Sequence, residues 1–140
     1  MNDNFVIISA FRAHHDQKSN LLAHYELHKA LHTACDVAPT LTLGKYKGNV
    51  ELSYLVDLRR NARLYGTVLD MAQHFLQESV LRVVSGRASL VSQHRGTDHD
   101  TTRVTPIGQW TEVHPEYALK QEAYSRVHDK YYICKGNQHA

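Results

Sequence analysis

Glu51 is the residue whose setting most needs a chemical explanation. It stands near the start of the apolar run VELSYLV, where a carboxylate must face solvent or be paired, because burying an isolated charge is costly. If the run is a strand, Glu51, Ser53 and Leu55 share one face, and Leu52, Tyr54 and Val56 share the other. Lys45 and Tyr46 lie just across the preceding turn. A second polar group closes the first apolar run, FVIISAFR, which ends in Ser9, Ala10, Phe11 and Arg12. A carboxylate, a hydroxyl, an aromatic wall and a fixed cation could together line a ligand site at a strand end. The bland alternative makes Glu51 an exposed-face carboxylate paired with Arg12 or Lys45. Phe11 is then core, and Tyr46 packs on the turn.

Eleven histidines invite a metal hypothesis. His24, His28 and His32 fall at successive i, i+4 positions, a spacing that can chelate. They point away from the apolar face set by Leu27, Leu31 and Ala34, and no HExxH motif or cysteine pair supplies a further ligand. The spacing therefore reads as a solvated or half-buried flank, with neither metal nor cofactor expected. The chain has no GxSxG, P-loop or GxGxxG motif, so the strongest local signatures of nucleophilic and nucleotide chemistry are missing. Cys35 follows His32 closely and reads as a residue of the core or of a helix end. Cys134 is remote from it, a usage that suits free thiols in a reducing compartment.

The elements that must position these groups follow from periodicity. Residues 4 to 11 read as a strand. A helix follows from about Ser19, with Ala23, Leu27, Ala30, Leu31 and Ala34 on one face. TLTLGKYKGNVELSYLVDL alternates as a hairpin, with Gly44 and Gly48 bracketing its turn. A second helix is expected over about Gly66 to Gln77, with Thr67 as its N-cap. SVLRVVSG and ASLVSQ read as strands, residues 93 to 105 as a polar loop, and QWTEV and AYSRVHDKYYIC as short closing strands. The order strand, helix, strand, strand, helix, strand implies an α+β, ferredoxin-like split βαβ sandwich. Its antiparallel sheet would carry two helices on one face and extra C-terminal strands. With 140 residues and no linker or repeat, one domain over 1–140 is expected. A net charge of +2 without any run of Lys and Arg argues against nucleic acid. No membrane-spanning stretch or signal-peptide core is evident, so a cytoplasmic protein is expected.

The arrangement of SAFR after the first strand, a helix, a glycine-flanked turn and GNVELSYLV resembles the phage S-adenosylmethionine lyase family, formerly described as S-adenosylmethionine hydrolase. The closing segment PIGQWTEVHPEYAL…AYSRVHDKYYIC is similar to that family's tail. The resemblance implies a ferredoxin-like homotrimer with active sites at subunit interfaces, in the host cytoplasm and with an anti-restriction role. The implied reaction, without metal or cofactor, cleaves S-adenosylmethionine to 5′-methylthioadenosine and L-homoserine lactone. By position, Glu51 matches the family's key glutamate and would hold the substrate ammonium. Ser9, Phe11 and Arg12, with Ser53 on the Glu51 face, would then bind substrate, and Tyr46 would cover the sulfonium.

Two other function classes fit the same elements. One is a non-catalytic oligomeric module that binds a nucleotide-like ligand. The other is a protein that engages a host partner through the basic segment around Arg95 and Arg103; there Glu51 would be dispensable and loop charges would matter.

Overall fold

The computed structural model describes residues 3–95 and 100–136. In chain order the elements are β1 (Asn4–Ile8), α1 (Gln17–Ala34), β2 (Thr40–Tyr46), β3 (Asn49–Asp57), α2 (Leu64–His74) and β4 (Val80–Val84). After them come β5 (Arg87–Arg95), β6 (Asp100–Val113), α3 (Pro115–Leu119), β7 (Tyr124–Val127) and β8 (Lys130–Lys135). The strands form a closed antiparallel barrel in the order β1-β3-β2-β7-β8-β6-β5-β4.

This corrects the expected ferredoxin-like split βαβ sandwich. Strand β1 lies between β3 and β4, and β2 pairs with β3. The sheet does not end there, because β5 extends from β4 and β7 from β2, with β6 and β8 completing the ring. Closure satisfies the backbone groups that an open sheet would leave at its two edges. The expected loop over 93 to 105 is likewise largely strand, with Gln93 opposite Thr102 and Val91 opposite Val104. Its sequence has almost no apolar residues, so no apolar alternation marks it, whereas Thr102, Val104 and Thr105 suit extended backbone. Residues 96–99, between Arg95 and Arg103, lie outside the described residues.

Local chemistry explains the elements that hold the site. Helix α1 starts at Asp16, whose carboxylate accepts the Ser19 N–H at 2.7 Å, the role of an N-cap. Helix α2 begins three residues earlier than Thr67, which sits inside it. There the Asn61 side chain accepts the Arg63 N–H, and the Asn61 and Ala62 carbonyls receive the next two amides. The β2–β3 turn is the pair Lys47-Gly48, both at positive φ, the geometry that matches hairpin twist. Gly44 is therefore not part of the turn; it lies within β2, opposite Glu51.

Two cores lie on opposite faces of β1. Val6 and Ile8 pack outward under α1 and α2 with Leu27, Leu31, Val56 and Val68. Burial of each such side chain contributes roughly 1.5–3 kcal/mol. Phe5 and Ile7 face the other way with Val83 and Ala88, against Leu55, Ile107 and Trp110. The Phe5 and Trp110 rings meet edge to face at 5.4 Å. Because β4 and β5 separate their strands in the ring, this contact crosses the barrel and marks its interior. Gly108 sits at φ 121° where β6 passes the Lys135 backbone, and a β-carbon there would collide with the Lys135 carbonyl. Among the described residues, no helix is long and apolar enough to cross a membrane.

Candidate active site

Strand alternation places Glu51, Ser53 and Leu55 on the barrel-interior face of β3. Tyr54 and Val56 lie on the face covered by the helices. On the interior face, Thr42 and Ser53 stand opposite each other, are almost fully buried, and share a hydroxyl–hydroxyl hydrogen bond of 2.6 Å. The next pair toward the turn is Gly44 and Glu51. Gly44 has no side chain, and the nearest atom to a β-carbon built there is the Tyr124 carbonyl at 3.6 Å. No side chain therefore stands directly opposite Glu51 on β2. Its carboxyl is half-buried and makes no hydrogen bond or ion pair with any described residue. Burial alone lifts its pKa above the ordinary 4.5, because desolvation disfavours the charged form.

The last interior pair before the turn is Tyr46 and Asn49, which puts Tyr46 on the Glu51 face. Its ring is half-exposed, with the Lys47 ammonium 5.5 Å from the ring centroid. Ser9 lies just past β1, and its hydroxyl donates to the Leu52 carbonyl at 2.8 Å and accepts the Phe11 N–H at 3.0 Å. It pins the strand end against β3 one residue from Glu51. Phe11 turns its ring edge to His24, at 6.0 Å between centroids, and its carbonyl accepts from Gln77 Nε2. Arg12 is exposed, and its backbone is clasped from both sides by the Asn20 side chain. Glu51, Ser53 and Tyr46 thus share one face and Ser9 abuts it. Phe11 packs toward the helices instead, and no ion pair joins Arg12 or Lys45 to Glu51 among the described residues.

The three histidines of α1 form a flank over Tyr54, with His24 and His28 half-buried and His32 exposed. His24 stacks on the Tyr54 ring at 4.9 Å and 4°, and His28 Nδ1 is hydrogen-bonded to the Tyr54 hydroxyl at 2.7 Å. His32 Nδ1 reaches the His28 carbonyl. The His24 Nδ1 atom is buried without a partner among the described residues, and desolvation, followed by the neighbouring His28, lowers the His24 pKa. Among the described residues no three His, Cys, Asp or Glu side chains gather as a metal-ligand set. Cys35 caps α1, donating its N–H to Leu31 O, and burial raises the pKa of its thiol. The Cys134 thiol is pushed up to about 11 by burial. Neither cysteine is a ready nucleophile.

Sequence reasoning missed Thr42, Gly44 and Tyr54. The first two were within reach, because the hairpin register that aligns Gly44 with Glu51 also aligns Thr42 with Ser53. Tyr54 was hidden as an ordinary member of an apolar face.

No curated protein matches the chain significantly. Residues 6–135, nearly the whole barrel, match the S-Adenosylmethionine lyase family. The chain therefore belongs to the S-adenosylmethionine lyase family and is a lyase.

Proposed function

We propose that the chain cleaves S-adenosylmethionine to 5′-methylthioadenosine and L-homoserine lactone, with Glu51 holding the substrate ammonium. The observation that carries this reading is the half-buried Glu51 carboxyl, which stands opposite Gly44 and has no partner among the described residues. At neutral pH such a carboxylate lacks a counter-charge, and an ammonium group supplies one through a charge-assisted hydrogen bond. The Thr42–Ser53 hydroxyl pair floors the site, and the Tyr46 ring stands at its open side, where a sulfonium would compete with the Lys47 ammonium. Ser9 acts by fastening the strand end to β3. Phe11 packs against His24 rather than on the Glu51 face and is given no substrate contact, and exposed Arg12 is the cation this reading assigns to the substrate carboxylate.

In the reaction a substrate carboxylate oxygen attacks Cγ, and the Cγ–S bond breaks with its electron pair going to sulfur. The sulfonium becomes a neutral thioether, the ring closes as the lactone, and no proton moves. The protein needs only to hold oxygen, carbon and sulfur in line, an effect that can contribute about 7–11 kcal/mol. A dry site helps, since charge is lost rather than created as the bond breaks.

In the homotrimer that the family resemblance implies, a neighbouring subunit would cover exposed Tyr46 and Val50, which flank Glu51. Loss of S-adenosylmethionine in a host cytoplasm would disarm restriction enzymes that need it, which is the anti-restriction role the family resemblance suggests. The test is to incubate the purified chain with S-adenosylmethionine and separate the products. 5′-Methylthioadenosine with homoserine lactone is expected. 5′-Methylthioadenosine with an unsaturated amino acid would overturn displacement in favour of elimination.

A further inference from the structure

A second concave site lies on the outer surface, where the N-terminal turn of α2 overhangs β4, β5 and β6. It is an open groove of about 510 Å³ lined by Tyr65, Arg82, Arg87 and Ser89, with Val84 and Val104 on its apolar side. It does not share a face with Glu51. Arg82 is level with Val6 in the β1–β4 register, and Val6 packs under the helices.

Arg82 is set in place before any ligand arrives. Its guanidinium lies over the Tyr65 ring at 4.7 Å, and Nη1 donates to the Phe5 and Val83 carbonyls at 3.3 and 3.2 Å. These contacts are all neutral, and no carboxylate pairs with Arg82 among the described residues. Burial lowers its pKa, with Tyr65 opposing that effect. A half-buried cation without a counter-ion is costly to a fold, and an anion from solution would offset that cost. Arg87 stands opposite Val84, while Arg82 stands opposite Ser89. The two arginines are thus diagonal neighbours on one face, with backbones roughly 7–8 Å apart. Among the described residues no acidic side chain lines the cavity.

We infer that this groove binds an organic phosphate, its phosphoryl group between Arg82 and Arg87 and its apolar body over Val84 and Val104. A phosphate dianion balances both cations, and its oxygens suit the planar forks of guanidinium groups. The cavity is far larger than one phosphate needs. Two of its valines, Val84 and Val104, are 43% and 57% exposed, so an apolar moiety would cover surface now facing water.

The full chain is titrated calorimetrically with phenyl phosphate, inorganic phosphate and benzoate. Phenyl phosphate is expected to bind most tightly. Arg87→Gln, at an exposed position, is expected to weaken it about tenfold while leaving the melting temperature and S-adenosylmethionine cleavage unchanged. Arg82→Gln should weaken it at least as much, and its melting temperature reports separately on the Tyr65 contact. Benzoate binding as tightly as phenyl phosphate would overturn the phosphate assignment, and inorganic phosphate doing so would overturn the apolar half. Undiminished binding to Arg87→Gln, or no phenyl phosphate binding at millimolar concentration, would overturn the site.

Discussion

On the outer face of β3, Tyr54 has its hydroxyl bonded to His28, its ring stacked on His24 and Val56 beside it under the helices. On the inner face, three residues back along the strand, Glu51 has only a glycine opposite it and no partner among the described residues. The same strand therefore carries one polar group whose interactions are complete and one whose interactions are left open. Satisfied groups hold a fold together. An unsatisfied half-buried charge weakens the fold, and a ligand that completes it binds at that point. Thr42 and Ser53 mark the boundary, because their buried hydroxyls satisfy one another immediately below Glu51.

Substitutions on the two faces should separate stability from activity. Ser53→Ala leaves the Thr42 hydroxyl buried without its partner, and should cost about 1–3 kcal/mol of stability, read by denaturant unfolding. A loss of turnover larger than the loss of folded protein would extend the site down to this pair. Tyr54→Phe removes only the bond to His28 and should cost about 0.5–1.5 kcal/mol, with cleavage per folded molecule unchanged. A large activity loss there would break the division between the faces.

The smallest expected effect is a pH-dependent one. The pKa of Glu51 is raised in the folded chain, so its ionisation opposes folding at pH above the ordinary carboxylate value. Wild type and Glu51→Gln should therefore have equal stability well below pH 4.5. The variant should become the more stable as pH rises from 4.5 to the folded-state pKa, and keep that margin above it. Turnover by the wild type should fall as Glu51 is protonated over the same window. Melting curves and initial rates across pH check both directions.

Much of the local structure was legible from residue pattern. The β2–β3 alternation placed Ser53 beside Glu51, and the spacing of Leu27 and Leu31 gave the buried stripe of α1. Barrel closure was not legible, because β5 and β6 pair through residues such as Gln93 and Thr102 that leave no apolar period. Their neighbours are set by long-range register, which local sequence does not encode. The direction of Phe11 was hidden for a related reason. β1 ends at Ile8, so strand alternation no longer governs a ring three residues later. Glu51 stood out because a carboxylate in an apolar run breaks the local rule, and such breaks gather at functional sites.

The most direct measurement compares wild type with Glu51→Gln at neutral pH, recording the rate of 5′-methylthioadenosine release from S-adenosylmethionine alongside the melting temperature. Loss of one charge-assisted bond to the substrate predicts a fall in rate of roughly ten- to a hundredfold or more, with a melting temperature equal to or above that of the wild type. Wild-type release by Glu51→Gln would contradict the role of Glu51. So would a rate lost only in proportion to unfolding.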